Sequence, residues 1–89
     1  MLNLPPSVRI LLAREPADMR KGFDGLSHLV QSVLREDPLS GHFFVFRNRR
    51  GARVKLLLWD SDGLLLVYKR WEKGTFRFPA RSEAAAPSV

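Results

Sequence analysis

The chain has no cysteine among its 89 residues, which excludes disulfide frameworks, thiol nucleophiles and cysteine-ligated metal sites together and fits a reducing compartment. Long apolar runs are missing too. A run such as Leu56 to Trp59 is far too short to cross a bilayer, and Pro5 and Pro6 interrupt the first apolar residues, so no leader-like arrangement opens the chain. The expectations are no membrane association and a cytoplasmic location. Acidic residues are scarce: nine Asp and Glu stand against fifteen Lys and Arg, for a net charge of +6 and a pI near 10.8. Most of the basic residues are arginine, which pairs bidentately with phosphate and guanine edges, so the excess positive potential suits an anionic partner.

Catalytic constellations are equally scarce. Gly22-Phe23-Asp24-Gly25 has neither the glycine spacing nor the lysine placement of a phosphate loop, and zinc-finger spacing and a nucleophilic triad are both missing. Asp60 and Asp62 flank a turn, where aspartate is favoured for local hydrogen bonding, and no third carboxylate is fixed beside them. His28 falls off the apolar stripe of its helix and His42 opens a strand, both boundary positions. The expectation is a protein without catalytic residues, metal or cofactor.

Core-forming residues are plentiful: 45% are apolar, including six Phe and two Trp, which predicts one folded domain. A chain this short buries a small fraction of its surface, so its stability margin is narrow unless a second subunit joins it. Val8 to Ala13 has strand length and lies between Pro6 and Pro16. Phe23, Leu26, Leu29, Val30, Val33 and Leu34 follow steps of three and four, predicting a helix whose stripe is buried, with Asp18 as N-cap. Asp37, Pro38, Ser40 and Gly41 stop it.

The period then changes to two. Segments 42–47, 53–59 and 64–70 read as strands joined by the short turns Asn48 to Ala52 and Asp60 to Gly63, which favours consecutive antiparallel hairpins. A brief edge strand at residues 75–78 follows. The fold class is α+β, with order β-α-β-β-β and one helix packed on an antiparallel sheet, forming a single domain over 1–79 and a flexible tail over 80–89.

One helix covers one face, so a second apolar face needs a partner, a curled terminal strand or a further segment. Leu57, Trp59 and Trp71 are the candidate interface residues for a homodimer or a docked protein. The clearest polar signal is FRNRRGARVK, in which Arg47, Arg49, Arg50, Arg53 and Lys55 surround a turn. Such arginines repel one another until phosphate oxygens supply charge-assisted contacts; a solvated turn is the plain alternative. Arg47 and Arg49 on one strand and Arg53 and Lys55 on the next are expected to form a contiguous strip. Arg20 and Lys21 precede the helix N-terminus, where phosphate is favoured. Lys69, Arg70, Lys73 and Arg77, interleaved with Tyr68, Trp71, Phe76 and Phe78, make a second basic group.

Several stretches carry a resemblance: DMRKGFDGL from Asp18, Asp37-Pro38 with Ser40-Gly41-His42, FVFR from Phe44 with Arg49-Arg50-Gly51, VKLL from Val54 with Trp59-Asp60, and then Asp62-Gly63, Tyr68-Lys69-Arg70, Glu72-Lys73-Gly74 and Phe76-Arg77 with Pro79. In order and over Ile10 to Pro79, they resemble the small TnpB-type accessory protein, second open reading frame, of the three-gene bacterial insertion sequences of family sixty-six. The RNA-guided nucleases of the same name are unrelated to this resemblance. It implies an accessory role in DNA transposition beside a separate catalytic transposase, and the expected direct partner is either DNA or that transposase. Two departures accompany it: Ala52 stands where the family usually has aspartate, and the segment after Pro79 is shorter than the family's usual tail, as in a truncated copy. Either DNA contact through the basic hairpin or docking through the apolar face satisfies these observations.

Overall fold

A computed structural model describes residues 7–77, in the order β1 (Ile10–Leu12), α1 (Phe23–Ser32), β2 (Phe43–Arg47), β3 (Arg53–Asp60) and β4 (Gly63–Arg70). This is the α+β arrangement expected from the change of period. The four strands form one sheet in the order β1-β2-β3-β4. Both later pairs are antiparallel hairpins, but β1 runs parallel to β2, with Ile10 opposite Phe43. The sheet is therefore mixed. A helix between two strands carries the chain back to its starting end, which makes the two strands parallel.

The helix begins at Phe23 with Gly22 at the N-cap position and no side-chain cap. Asp18 does not cap it; its carboxylate accepts from the Arg20 backbone N–H at 2.9 Å and from the Arg20 guanidinium at 2.8–3.1 Å, closing a local turn instead. That fork holds the Asp18 carboxyl at a pKa of about 2, chiefly through the Arg20 side-chain hydrogen bonds. Past the helix, Arg35 takes a left-handed φ of 57° while Leu34 and Glu36 donate to the carbonyls of Leu29 and Val30. Of the predicted stripe, Leu26, Val30 and Leu34 are buried and Leu29 packs beside them, whereas Phe23 and Val33 are exposed. Ten helical residues present only a narrow face to a single sheet layer.

Alternation along the strands sorts the side chains onto two faces. Under the helix lies the main core: Leu11, Ala13, Leu26, Val30, Leu34, Phe44, Phe46 and Leu57, with Leu64 and Leu66 at its margin. On the opposite face, Leu12, Val45 and Val54 form a smaller cluster with Leu56, Trp71 and Phe76. The segment after β4 folds back to cover this second face. Trp71 N–H donates to Ala52 O at 2.8 Å, Phe76 N–H donates to Gly51 O at 2.6 Å, and the two rings meet edge-to-face at 6.0 Å. Gly51 has φ +75°, and an added Cβ would lie 3.4 Å from the Phe76 carbonyl oxygen, so a side chain there would be strained and would press on the returning segment.

Residues 75–77 run without forming a strand of the sheet, unlike the expected edge strand, because the chain packs over the face. Phe78, the domain boundary at 79 and the tail over 80–89 lie outside the described residues. No helix among the described residues is long and apolar enough to cross a membrane.

Candidate nucleic-acid interface

The sheet has a basic end and an acidic end. The β2–β3 turn, the start of β3 and the finish of β4 bring Arg47, Arg49, Arg50, Arg53, Lys69 and Arg70 to one end, while Asp60 and Asp62 occupy the opposite turn. Parallel pairing of β1 with β2 also brings the 13–17 segment to the basic end: Ala17 N–H donates to Arg47 O at 2.8 Å. The helix consequently starts at this end, with its positive dipole terminus facing the same way.

Arg49 and Arg50 are exposed at the turn and line a shallow recess with Arg47, Gly51 and Phe76. Arg47 is half-buried; its Nη2 donates to Arg14 O at 2.8 Å, fastening β2 to the segment after β1. The predicted contiguous strip is split. Arg47 pairs across the hairpin with Val54, so its side chain shares the face opposite that of Arg53 and Lys55.

Lys55 has no free ammonium to offer a ligand. It is 7% exposed, its Nζ donates to Lys21 O at 2.7 Å, and it lies 4.6 Å from the Tyr68 ring centroid. Burial is possible because the stem packs among apolar groups while the head finds a carbonyl and an aromatic face. The same contact pins the Lys21 backbone beside β3. Arg20 is exposed, with its guanidinium engaged by Asp18.

The feature least apparent from the sequence is on the helix side. Arg53 and Arg70 stand directly opposite one another, with Tyr68 beside them, and the Arg53 Nη1 to Tyr68 Oη distance is 3.3 Å. Arg70 Nε also donates to Glu72 at 2.8 Å. Two cations in cross-strand opposition repel, so the site favours an anion between or above them. Tyr68 is 49% exposed on an edge strand, placing an aromatic surface in a basic setting. The signal in the sequence was the spacing of Arg53 and Arg70 from the Asp60–Gly63 turn, each seven positions outside it.

The second basic group does not assemble as one surface. Lys69 lies over the Trp71 ring at 4.5 Å on the face away from the helix, opposite to Arg70, and Lys73 and Arg77 are exposed in the returning segment. Among the three expected interface residues, Leu57 is corrected outright: it is 0% exposed under the helix and unavailable to a partner. Trp59 shares the helix-side parity of Leu57 and is half-buried, whereas Trp71 covers the other face; the three therefore do not make one surface. Their separation follows from the register. No group of three or more acidic or histidine side chains capable of holding a metal occurs among the described residues. His42 Nδ1 instead accepts from the Arg9 backbone N–H at 3.1 Å, and His28 is exposed.

No solved structure matches the chain at a significant level. Two proteins of Sinorhizobium fredii, the uncharacterized proteins y4jC and y4hO, are each 40% identical to it over 85 residues. These alignments cover 96% of this chain and 73% and 74% of the respective relatives. The profile of IS66 Orf2-like proteins matches residues 8–88, beyond the Ile10 to Pro79 span that carries the resemblance. The chain thus belongs to the IS66 Orf2-like family, which gives it an accessory role in the transposition of insertion sequences.

Proposed function

We propose that the protein contacts DNA through the basic end of its sheet, with Arg49 and Arg50 at the turn and Arg53 and Arg70 on the helix-side face as the principal phosphate ligands. The observation that carries this reading is the direct opposition of Arg53 and Arg70. An arrangement that raises the free energy of the isolated protein is relieved when a polyanion binds. Arg47 and Lys55 act from behind this surface: Arg47 fixes the 13–17 segment and Lys55 fixes Lys21. Tyr68 adds an aromatic platform for an unstacked base.

The transposase of the element supplies the chemistry, and this protein supplies contacts to the DNA on which that chemistry occurs, in the bacterial cytoplasm. Affinity then comes mainly from phosphates and falls steeply with salt. The test is fluorescence anisotropy of labelled element-end and scrambled duplexes from low to moderate salt, using wild type and the triple variant Arg49→Ala, Arg50→Ala, Arg53→Ala. Loss of about three units of log–log salt slope in the variant is the expected result, at close to one unit per phosphate contact. Equal slopes for the two proteins contradict the reading.

A further inference from the structure

The geometry points to a second copy of this chain as the partner of the open β4 edge, through two-fold antiparallel pairing of β4 with β4 centred on Leu66. This inference goes beyond DNA contact and does not depend on it. Among the described residues, the sheet order leaves β4 unpaired on one side over all eight residues, whereas the other edge strand, β1, has three. A strand of that length rich in leucine, with one row of backbone N–H and C=O groups open, is a template for a further strand.

The register is specified. Trp71 N–H donates inward to Ala52 O, so alternation along the antiparallel ladder turns the backbone groups of Leu64, Leu66, Tyr68 and Arg70 outward. Pairing these groups with their own copies about a two-fold axis through Leu66 sets Leu64 opposite Tyr68 of the partner subunit. On the other face it sets Leu65 opposite Val67 of the partner subunit. Leu65 and Val67 are 46% and 45% exposed in the single chain, and this register joins them with their symmetry mates into one apolar row.

Charge selects the same register. Asp62, in the turn before β4, falls opposite Arg70 of the partner subunit, so the acidic end of each sheet meets the basic end of its mate. Moving the axis by one residue to Val67 instead sets Leu65 against Lys69 and Leu64 against Arg70, replacing apolar and ionic pairs with mismatches. Parallel pairing in register sets Arg70 on Arg70 and Asp62 on Asp62.

The chain has no cysteine, so introduced thiols report the register directly. Directly opposed residues at non-hydrogen-bonded positions have Cα atoms about 4.5 Å apart, within disulfide range. Full-length Leu65→Cys/Val67→Cys is expected to form a covalent dimer under mild oxidation, while each single variant stays monomeric on a non-reducing gel. In wild type, sedimentation equilibrium should show a monomer–dimer equilibrium that shifts toward monomer in Asp62→Arg and returns toward dimer in Asp62→Arg/Arg70→Asp. A wild-type protein that stays monomeric at every accessible concentration overturns the inference and leaves the edge to a different protein, such as the transposase. Cross-linking of Val67→Cys alone as efficiently as the double variant overturns the register and with it the pairing proposed.

Discussion

Replacing Arg53 by glutamine separates a side chain kept for binding from one kept for the fold. The change retains most of the aliphatic stem and removes the charge. In the free protein Arg53 faces Arg70 across the β3–β4 ladder, and its Nη1 donates a long hydrogen bond to Tyr68 Oη at 3.3 Å. Two unit charges about 6 Å apart in water repel by roughly 0.7 kcal/mol, and ionic strength near physiological reduces this by about half. The Glu72 carboxylate on Arg70 offsets a further part. Arg53→Gln is therefore expected to stabilise the free protein by about 0.3 kcal/mol, a rise of roughly 1–2 °C in Tm for a domain of this size, and by more at low salt. It is expected to weaken DNA binding and to remove about 0.9 from the log–log salt slope, the contribution of one phosphate contact. Thermal melts with and without duplex, beside anisotropy at several salt concentrations, measure both quantities. Destabilisation of the free protein by about 1 kcal/mol or more with unchanged binding would refute the reasoning, because Arg53 would then be a structural residue.

Other consequences follow from the same structure. Lys55→Ala should destabilise the fold by about 2 kcal/mol in urea titration through loss of the bond to Lys21 O and of the packed stem, with Lys55→Met costing less and the salt slope for DNA unchanged in either. Ser61 occupies a left-handed φ of 56° in the β3–β4 turn, so Ser61→Gly should raise stability by about 1 kcal/mol, read from the urea midpoint. The folded-state pKa of Asp18 is depressed from 3.8 to about 2, so its contribution is present above pH 4 and lost as pH falls through about 2. Acid titrations of wild type and Asp18→Asn should differ at neutral pH and converge near pH 2.

Much of the fold is legible in local pattern. Steps of three and four around Leu26, Val30 and Leu34 mark the helix, and two apolar segments of strand length on either side of the turn chemistry at Asp60 to Gly63 mark the second hairpin. Pattern alone does not say which face of a strand meets the helix. Leu57 and Trp59 read as plausibly exposed as Leu56 and Leu58; only the packing of α1 against the Phe44–Phe46–Leu57 side decides between them. The direction of β1 was equally hidden, since it depends on the helical crossover bringing Ile10 alongside Phe43.

The basic hairpin was legible as a cluster but not as a surface. Pairing of Arg47 with Val54 sends Arg47 to the face opposite Arg53, which no count of arginines reveals. Lys55 looks like one more cation in FRNRRGARVK, yet it is buried because the Lys21 carbonyl and the Tyr68 ring come from distant parts of the chain. The cover over the second face is likewise non-local. Trp71 and Phe76 reach it only because the chain after β4 turns back to bond with Gly51 and Ala52.

The most direct measurement is amide chemical-shift mapping of isotopically labelled protein titrated with a short element-end duplex at low salt. DNA contact at the basic end predicts the largest shifts at Arg49 to Arg53 and Tyr68 to Arg70, exceeding any at the Asp60 to Gly63 turn. Shifts centred on that acidic turn, or none anywhere at saturating duplex, would contradict it.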